Sequence, residues 1–133
     1  MKAVFDTNIF ISAIAIPGSR AEAAILKVVA GHVRLVISRE IIHEVLDVLA
    51  RKFDRSAEEL ARVAVYLSDL AEIVAPRRRL KILMDEPDNR ILECAVTGKA
   101  DAIVTGDQAM LRLGAYRGIR IISLNEFLET RHK

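Results

Sequence analysis

Two aspartates in this chain each follow a short apolar run. Asp6 follows residues 2–5, and Asp107 follows residues 102–106. Runs of this kind are typical of buried parallel strands, and open α/β sheets bind ligands in the crevice at the carboxyl ends of their strands. We therefore predict that the two carboxylates reach the same edge of a sheet. Two carboxylates in such a crevice indicate a site for a divalent metal.

Two more acids can join this pair. Glu44 lies in a predicted helix after the second strand, and Asp88 begins the predicted helix before the fourth strand. Two unit charges about 5 Å apart at an effective dielectric of about 20 repel by roughly 3 kcal/mol, so a cluster of four must bind protons or a cation. Oxygen ligands without cysteine favour Mg²⁺ or Mn²⁺ over zinc. Metal-assisted hydrolysis of a phosphodiester is the chemistry expected from such a site.

Each of the four acids also has a purely structural interpretation. Asp6 or Asp107 can cap the helix that follows its strand. Asp88 can interact with the dipole of the helix that it begins. Glu44 belongs to a charged helix face that is ordinarily solvated. The sequence leaves these interpretations open for every acid taken alone.

Other polar or reactive residues near these acids are expected outside the site. Asp85 and Asp101 are predicted to be turn or edge residues. Glu93 lies five positions after Asp88 and therefore points to another side of the helix. Cys94 is predicted to pack in the core, because no basic residue that would activate a thiol is evident.

Short strands alternate with helices along the chain. The first helix is predicted to be capped by Thr7 or Asn8, and the segment from Gly114 to Gly118 is predicted to be a turn. Strands are predicted at residues 2–5, 33–37, 72–74, 102–105 and 119–122, and the last helix at residues 124–131. This alternation predicts an α/β fold, a three-layer α/β/α sandwich with a central, mostly parallel sheet of about five strands.

The composition fits a single domain over residues 1–133. Hydrophobic residues make up 52% of the chain and aromatic residues only 5%, which disfavours both disorder and an aromatic surface for stacking bases. The single cysteine provides neither a disulfide nor a Cys/His zinc site, which indicates a reducing compartment, with the cytoplasm as the expected location. No apolar run approaches the ~20 residues that span a membrane, so no membrane association is expected.

The balance of charge suits a polyanionic partner. The chain carries 20 basic and 18 acidic residues, and setting four acids aside as metal ligands leaves 14, a surplus of six positive charges. A basic run lies shortly before Asp88 and comprises Arg77, Arg78, Arg79 and Lys81. It is either a solvated loop or a contact for the phosphate backbone of a nucleic acid.

Four stretches of the sequence carry a resemblance to a known family. They are residues 4–8, 44–46, 88–95 and 100–107, which together span nearly the whole chain. Their order and spacing resemble the PIN domain family, and closely its prokaryotic branch of VapC-type toxins from toxin–antitoxin pairs. The resemblance implies a central parallel sheet between helices and an enzyme that cuts RNA with Mg²⁺ or Mn²⁺.

The resemblance also implies roles for individual residues. The implied catalytic acids are Asp6, Glu44, Asp88 and Asp107. The implied metal ligands are Asp6, Asp88 and Asp107. Direct contacts to the metal are expected above all from Asp6 and Asp107. Asp88 and Glu44 either bind the metal through water or act on the attacking water. Asn8 and Thr105 are implied as supporting residues, Asn8 beside the first acid and Thr105 through a hydroxyl that orients a carboxylate or a water.

Partners follow from the same resemblance. It implies an RNA substrate, a small antitoxin as inhibitor, and a homodimer. A self-association surface could come from the apolar stripe of residues 25–29 or from the helix of residues 60–70, although burial in the core explains both stripes equally well. One alternative is a catalytically inactive PIN module that binds RNA or a protein partner. Another is a receiver-like or phosphatase-like α/β protein, but that class requires a second acid where Asn8 stands.

Overall fold

Helices and strands alternate along residues 1–130, the part of the chain that the computed structural model describes. The strands are β1 (Lys2–Phe5), β2 (Arg34–Ser38), β3 (Glu72–Val74), β4 (Ala102–Thr105), β5 (Ala115–Tyr116) and β6 (Ile119–Ser123). The helices are α1 (Thr7–Ala15), α2 (Arg20–Val29), α3 (Arg39–Phe53), α4 (Ala57–Leu70), α5 (Glu86–Thr97), α6 (Gln108–Leu113) and α7 (Leu124–Glu129).

The strands form one sheet in the order β3-β2-β1-β4-β6-β5. Every neighbouring pair is parallel except β5 and β6. The chain builds outward from β1 on one side and from β4 on the other, so the order of strands reverses between these two central strands. Crossovers on the two sides of such a reversal diverge and leave a crevice at the carboxyl ends of β1 and β4. The predicted three-layer α/β/α fold with a mostly parallel sheet is confirmed.

The sheet has six strands and not about five, because the predicted turn near Gly114 contains a short strand. Arg117 and Gly118 both adopt positive φ angles, 49° and 80°, and Tyr116 pairs with Ile119. Two successive residues with positive φ form the tight turn that joins antiparallel strands. At the chain's end, α7 stops at Glu129, and Arg131 of the predicted helix lies outside the described residues.

Aliphatic side chains on both faces of the sheet form the core. All four residues of β4 are buried, as are Ala3, Val4 and Phe5 of β1. The ring centroid of Phe5 lies 5.8 Å from that of Phe10 on α1 and 5.4 Å from that of Phe127 on α7. The central strand therefore packs against both the helix that follows it and the last helix of the described chain. Because β1 and β4 are buried on both faces, the residues that follow these strands are held at fixed positions.

Helix α5 packs tightly against the sheet at its carboxyl end. A Cβ atom added at Gly98 would lie only 2.4 Å from Cγ1 of Val36 on β2, so glycine is the residue that permits this approach. Gly98 is also the residue at which α5 ends. Because α5 is held against the centre of the sheet, its first turn lies near the ends of the central strands.

Within residues 1–130, no single helix has the length and apolar character needed to cross a membrane. Only α1 and α2 taken together, across a bend of 100°, meet both requirements.

Candidate metal centre

The four predicted acids line one cavity at the crevice between β1 and β4. Its volume is about 190 Å³. The polar residues around it come from four helices, α1, α3, α5 and α6, or from the residues directly before them: Asp6, Thr7, Asn8, Glu44, Arg51, Lys52, Asp85, Asp88 and Asp107. The structure therefore brings together acids that are spread over a hundred positions of the sequence, and places Asn8 beside them as predicted.

Asp6 is positioned by the end of β1 and the start of α1. Only 4% of the residue is exposed; its Oδ1 accepts a hydrogen bond from the backbone N–H of Ile9 at 3.2 Å, and its Oδ2 accepts one from the hydroxyl of Thr105. Asp6 is thus the cap of α1, and the prediction of Thr7 or Asn8 as the cap is wrong. Asp6 comes directly after the strand, and its side chain is the one that accepts from a free N–H group of the first turn. Burial raises the pKa of Asp6, and the Thr105 hydroxyl acts against that rise.

Asp107 is held in the same way at the end of β4. Its Oδ1 accepts from the backbone N–H of Met110 at 2.9 Å and so caps α6, while its own backbone N–H donates to Oγ1 of Thr105 at 2.9 Å. The buried Thr105 hydroxyl therefore donates to Asp6 and accepts from Asp107. One threonine at the end of a central strand links the two predicted ligands, which agrees with its predicted supporting role.

Asp88 is the acid with the least compensation. Only 7% of the residue is exposed, and its buried Oδ2 has no hydrogen-bond partner among the described residues. Burial and the negative charges of Asp107, Asp85 and Asp6 raise the pKa of Asp88 to about 7. A carboxylate in this position gains from any cation that enters the cavity.

Asp85 also belongs to the cluster, although a turn role was predicted for it. Single carboxylate oxygens of Asp85, Asp88 and Asp107 all lie within 4.8 Å of one another. Asp85 occupies the position that precedes α5, yet its side chain makes no capping hydrogen bond. The i, i+3 spacing of Asp85 and Asp88 is the sequence signal that could have identified it, since such residues share one side of a helix turn.

Glu44 reaches the cavity from α3 as a half-buried side chain. Two cations of the same helix, Arg51 and Lys52, line the cavity as well, although the sequence analysis did not single them out. Arg51 pairs with Asp47 at 2.8 Å, which holds its guanidinium in place. Positions seven and eight after Glu44 return to its face of the helix, so helical periodicity could have identified both.

The predicted basic run lies apart from the acids. None of Arg77, Arg78, Arg79 and Lys81 is among the described residues that line the metal cavity. Of these four, Arg79 alone lies within 4 Å of a carboxylate in the part of the chain that the structure describes: its guanidinium is 3.6 Å from Glu93 and 3.9 Å from Glu40. A role of the run at the scissile bond itself therefore has no geometric support.

Asp101, Glu93 and Cys94 lie outside the cluster, as predicted. Asp101 accepts the backbone N–H of Lys2 at 2.8 Å, at the amino end of the central strands. Glu93 accepts the backbone N–H of Leu80 at 2.7 Å and pairs with Arg90 at 2.9 Å. Cys94 is fully buried, and burial raises the pKa of its thiol to about 12, so the side chain packs as an apolar group.

The donor set fits a hard divalent cation. All candidate ligands are carboxylate oxygens, three of which come from side chains within 4.8 Å of one another, and one buried oxygen of Asp88 has no other partner. Mg²⁺ and Mn²⁺ take such ligands, whereas zinc prefers sites with nitrogen or sulfur. Three helices begin at this point, and Asp6 and Asp107 cap α1 and α6. The amino end of α5 has no side-chain cap and favours an anion such as a phosphate that approaches the metal.

Comparison with solved structures agrees with this fold. The solved structures of VapBC2 from Rickettsia felis, bound to a DNA fragment from their promoter, and of VapBC-1 from nontypeable Haemophilus influenzae contain chains of the same fold. The first gives a TM-score of 0.68 at 14% identity, covering 92% of this chain and 98% of that one. The second gives a TM-score of 0.65 at 17% identity, covering 94% and 99%.

Sequence comparison identifies the family. An uncharacterized protein of Methanocaldococcus jannaschii, MJ1680, is 28% identical over 117 residues, which cover 85% of this chain and 75% of that protein. The family model of the PIN domain matches residues 2–109, a segment that contains all of the clustered acids. The chain therefore belongs to the PIN domain family.

Proposed function

We propose that this protein is a metal-dependent ribonuclease that hydrolyses phosphodiester bonds of RNA. The observation that carries the proposal is the convergence of Asp85, Asp88 and Asp107 within 4.8 Å, with a buried oxygen of Asp88 that no described residue compensates. Asp6, Asp88 and Asp107 are the proposed ligands of Mg²⁺ or Mn²⁺, and Asp85 is added to them on the strength of its position.

The chain's own residues divide the remaining tasks. A bound divalent cation would polarise the scissile phosphate and lower the pKa of a coordinated water. Thr105 fixes the orientation of Asp6 through its hydroxyl, and the backbone amides of Ile9 and Met110 fix Asp6 and Asp107. Glu44, across the cavity on α3, is the carboxylate that we assign to accept a proton from the attacking water.

Cations at the cavity supply a place for the phosphate. Arg51 and Lys52 line the same cavity as the acids, so we assign them to hold the phosphate that is cut. Lys52 contributes more than Arg51, because the guanidinium of Arg51 already pairs with Asp47 at 2.8 Å. The basic run, predicted from the sequence to bind RNA, stays a proposal for RNA beyond the scissile bond; it comprises Arg77, Arg78, Arg79 and Lys81. Arg79 contributes less to it, because Glu93 and Glu40 already lie within 4 Å of its guanidinium.

The cellular role that we propose is that of a toxin in a type II toxin–antitoxin pair, acting in the cytoplasm. The VapC-type motifs of the sequence and the shared fold with chains of two VapBC structures support it. A small antitoxin is then the expected protein partner. Exposed apolar side chains on α2 and α4, among them Leu26, Val29, Val65 and Tyr66, provide surface for that partner or for a homodimer.

A ribonuclease assay with matched variants tests the proposal. Wild-type protein should cut RNA with Mg²⁺ or Mn²⁺, and excess chelator should abolish cleavage. Asp6→Asn and Asp107→Asn should each lower the rate by about 10²- to 10³-fold, because a Lewis acid contributes several kcal/mol and each tenfold change corresponds to about 1.4 kcal/mol. Asp69→Asn, an exposed position on α4, is the control and should retain the wild-type rate.

The outcomes are distinct. Cleavage that survives both substitutions would place the activity elsewhere or in a contaminant. RNA binding without cleavage by the wild-type protein, with metal present, would instead identify a catalytically inactive PIN module.

A further inference from the structure

A second cavity lies beside the carboxyl half of α5, away from the acids. Its volume is about 230 Å³. Its lining combines apolar and hydroxyl groups with three arginines, and includes Leu80, Val96, Thr97, Arg77, Arg78 and Arg117. The cavity thus joins the loop after β3, the last turn of α5 and the hairpin between β5 and β6.

The three arginines carry uncompensated charge. Among residues 1–130, no carboxylate lies within 4 Å of the guanidinium of Arg77, Arg78 or Arg117, and all three residues are exposed. The one acid in the described lining is Glu93, whose side chain is 2% exposed and already bound to Arg90 and to the N–H of Leu80. The cavity therefore presents net positive charge to any ligand, since guanidinium groups stay protonated in proteins.

Surrounding contacts position the segments that carry the three arginines. The Cζ atom of Arg117 lies 5.2 Å from the ring centroid of Tyr116, which restrains its side chain by a cation–π contact. The loop that carries Arg77 and Arg78 is bound to α5 through Glu93, and again where buried Asn89 accepts the N–H groups of Ile82 and Leu83. Guanidinium groups presented in this way suit the paired oxygens of phosphate.

We infer that this cavity binds backbone phosphates of the RNA at a distance from the bond that is cut. The inference rests on the proposed ribonuclease function and adds how far along the RNA the protein makes contact. Asp88 and Val96 are eight positions apart on α5, or roughly 12 Å at 1.5 Å per residue. A stacked strand advances about 3.4 Å along its axis for each phosphate, so the second contact begins about four nucleotides from the scissile phosphate.

Binding and cleavage of RNAs of two lengths test this inference. The triple variant Arg77→Gln, Arg78→Gln, Arg117→Gln is compared with wild type and with a control variant. The control removes equal charge from three exposed arginines elsewhere that form no ion pair with a described residue: Arg20→Gln, Arg34→Gln, Arg112→Gln. Labelled RNAs of 3 and 12 nucleotides are used. Binding is followed by anisotropy in chelator at several salt concentrations, and kcat/KM is measured with Mg²⁺ or Mn²⁺.

The triple variant should bind the 12-nucleotide RNA at least tenfold more weakly than the control variant. The slope of log affinity against log salt should fall by about two, at about 0.7 per phosphate contact in a single strand. The ratio of kcat/KM between the long and the short RNA should drop about tenfold. Arg117→Gln alone should lower the slope by about 0.7, which guards against a folding defect in the triple variant.

Two other results are decisive. If wild-type protein cuts RNA but the triple variant matches the control in slope and in length ratio, the second phosphate site is wrong while the ribonuclease function stands. If wild-type protein neither binds nor cuts either RNA, both the function and the site are wrong.

Discussion

Two buried carboxyl groups on α5 have opposite surroundings. Glu93 is 3% exposed and accepts from the N–H of Leu80 at 2.7 Å and from Arg90 at 2.9 Å, with Arg79 at 3.6 Å. Asp88, five positions earlier, is 7% exposed, has an oxygen without a hydrogen-bond partner within residues 1–130, and is surrounded by other acids. The difference separates a carboxylate that stabilises the fold from one that is available to a ligand.

This contrast follows from the cost of burying charge. An ionised carboxylate removed from water must regain its lost interactions from donors or cations. Glu93 regains them within the chain, where it fixes the loop between β3 and α5. Asp88 does not regain these interactions within the described residues, so either a proton or a metal must supply them.

The largest expected effect on folding is at Glu93. Glu93→Gln leaves the Arg90 guanidinium and the N–H of Leu80 without their charged partner, and should lower the free energy of unfolding by about 3 kcal/mol, as measured by urea titration. Glu86→Gln is the matched control, because Glu86 also pairs with Arg90, at 3.1 Å, but its side chain is 69% exposed. It should change the free energy by less than about 1 kcal/mol. Equal effects of the two substitutions would contradict the contrast.

The next effect concerns the support of the metal ligands. Thr105→Val removes the hydroxyl that donates to Asp6 and accepts from the N–H of Asp107, and should weaken Mn²⁺ binding about 10- to 100-fold by calorimetry. Thr105→Ser keeps the hydroxyl and should retain most of the affinity. If the valine variant binds Mn²⁺ as tightly as wild type, Thr105 has no positioning role.

The smallest expected effect is on the stability of the metal-free protein. The pKa of Asp88 is raised to about 7 in the folded chain, from an ordinary value of 3.8. Between about pH 4 and pH 7 the folded state therefore holds more protons than the unfolded state, and stability falls as the pH rises.

Asp88→Asn removes this titration. In chelator at pH 8 the variant should be more stable than wild type by about 1 kcal/mol, less than the full pKa shift implies because the cavity opens to solvent. At pH 4 the two proteins should be nearly equal. Thermal unfolding at both values measures the difference, and a less stable variant at pH 8 would show that Asp88 is compensated after all.

The acids also show that capping and ligand roles need not exclude one another. Asp6 and Asp107 each use Oδ1 to cap a helix, and Oδ2 of Asp6 accepts from Thr105. From the sequence alone, capping is an open alternative to metal binding. In the structure, capping fixes the carboxylate at the edge of the sheet, so the structural role supports the proposed chemical one.

Several features were not predicted, because a local signal such as residue spacing becomes decisive only with the contacts between distant segments. The hairpin of β5 and β6 has a weak pattern, since two residues are too few to show a period. Asp85 looked like a turn residue because nothing local tells whether its carboxylate caps α5 or turns toward Asp107. Arg51 and Lys52 looked like an ordinary charged end of α3 until that helix was packed beside the crevice.

The sequence by itself determined the alternation of strands and helices, the family, and which acids follow strands, because these depend on local hydrophobic period and on the order of motifs. The tertiary structure alone decided which charges are compensated. Compensation depends on distances between side chains far apart in the chain, and these distances are set by the reversal of strand order between β1 and β4 and by the packing of α5 against the sheet.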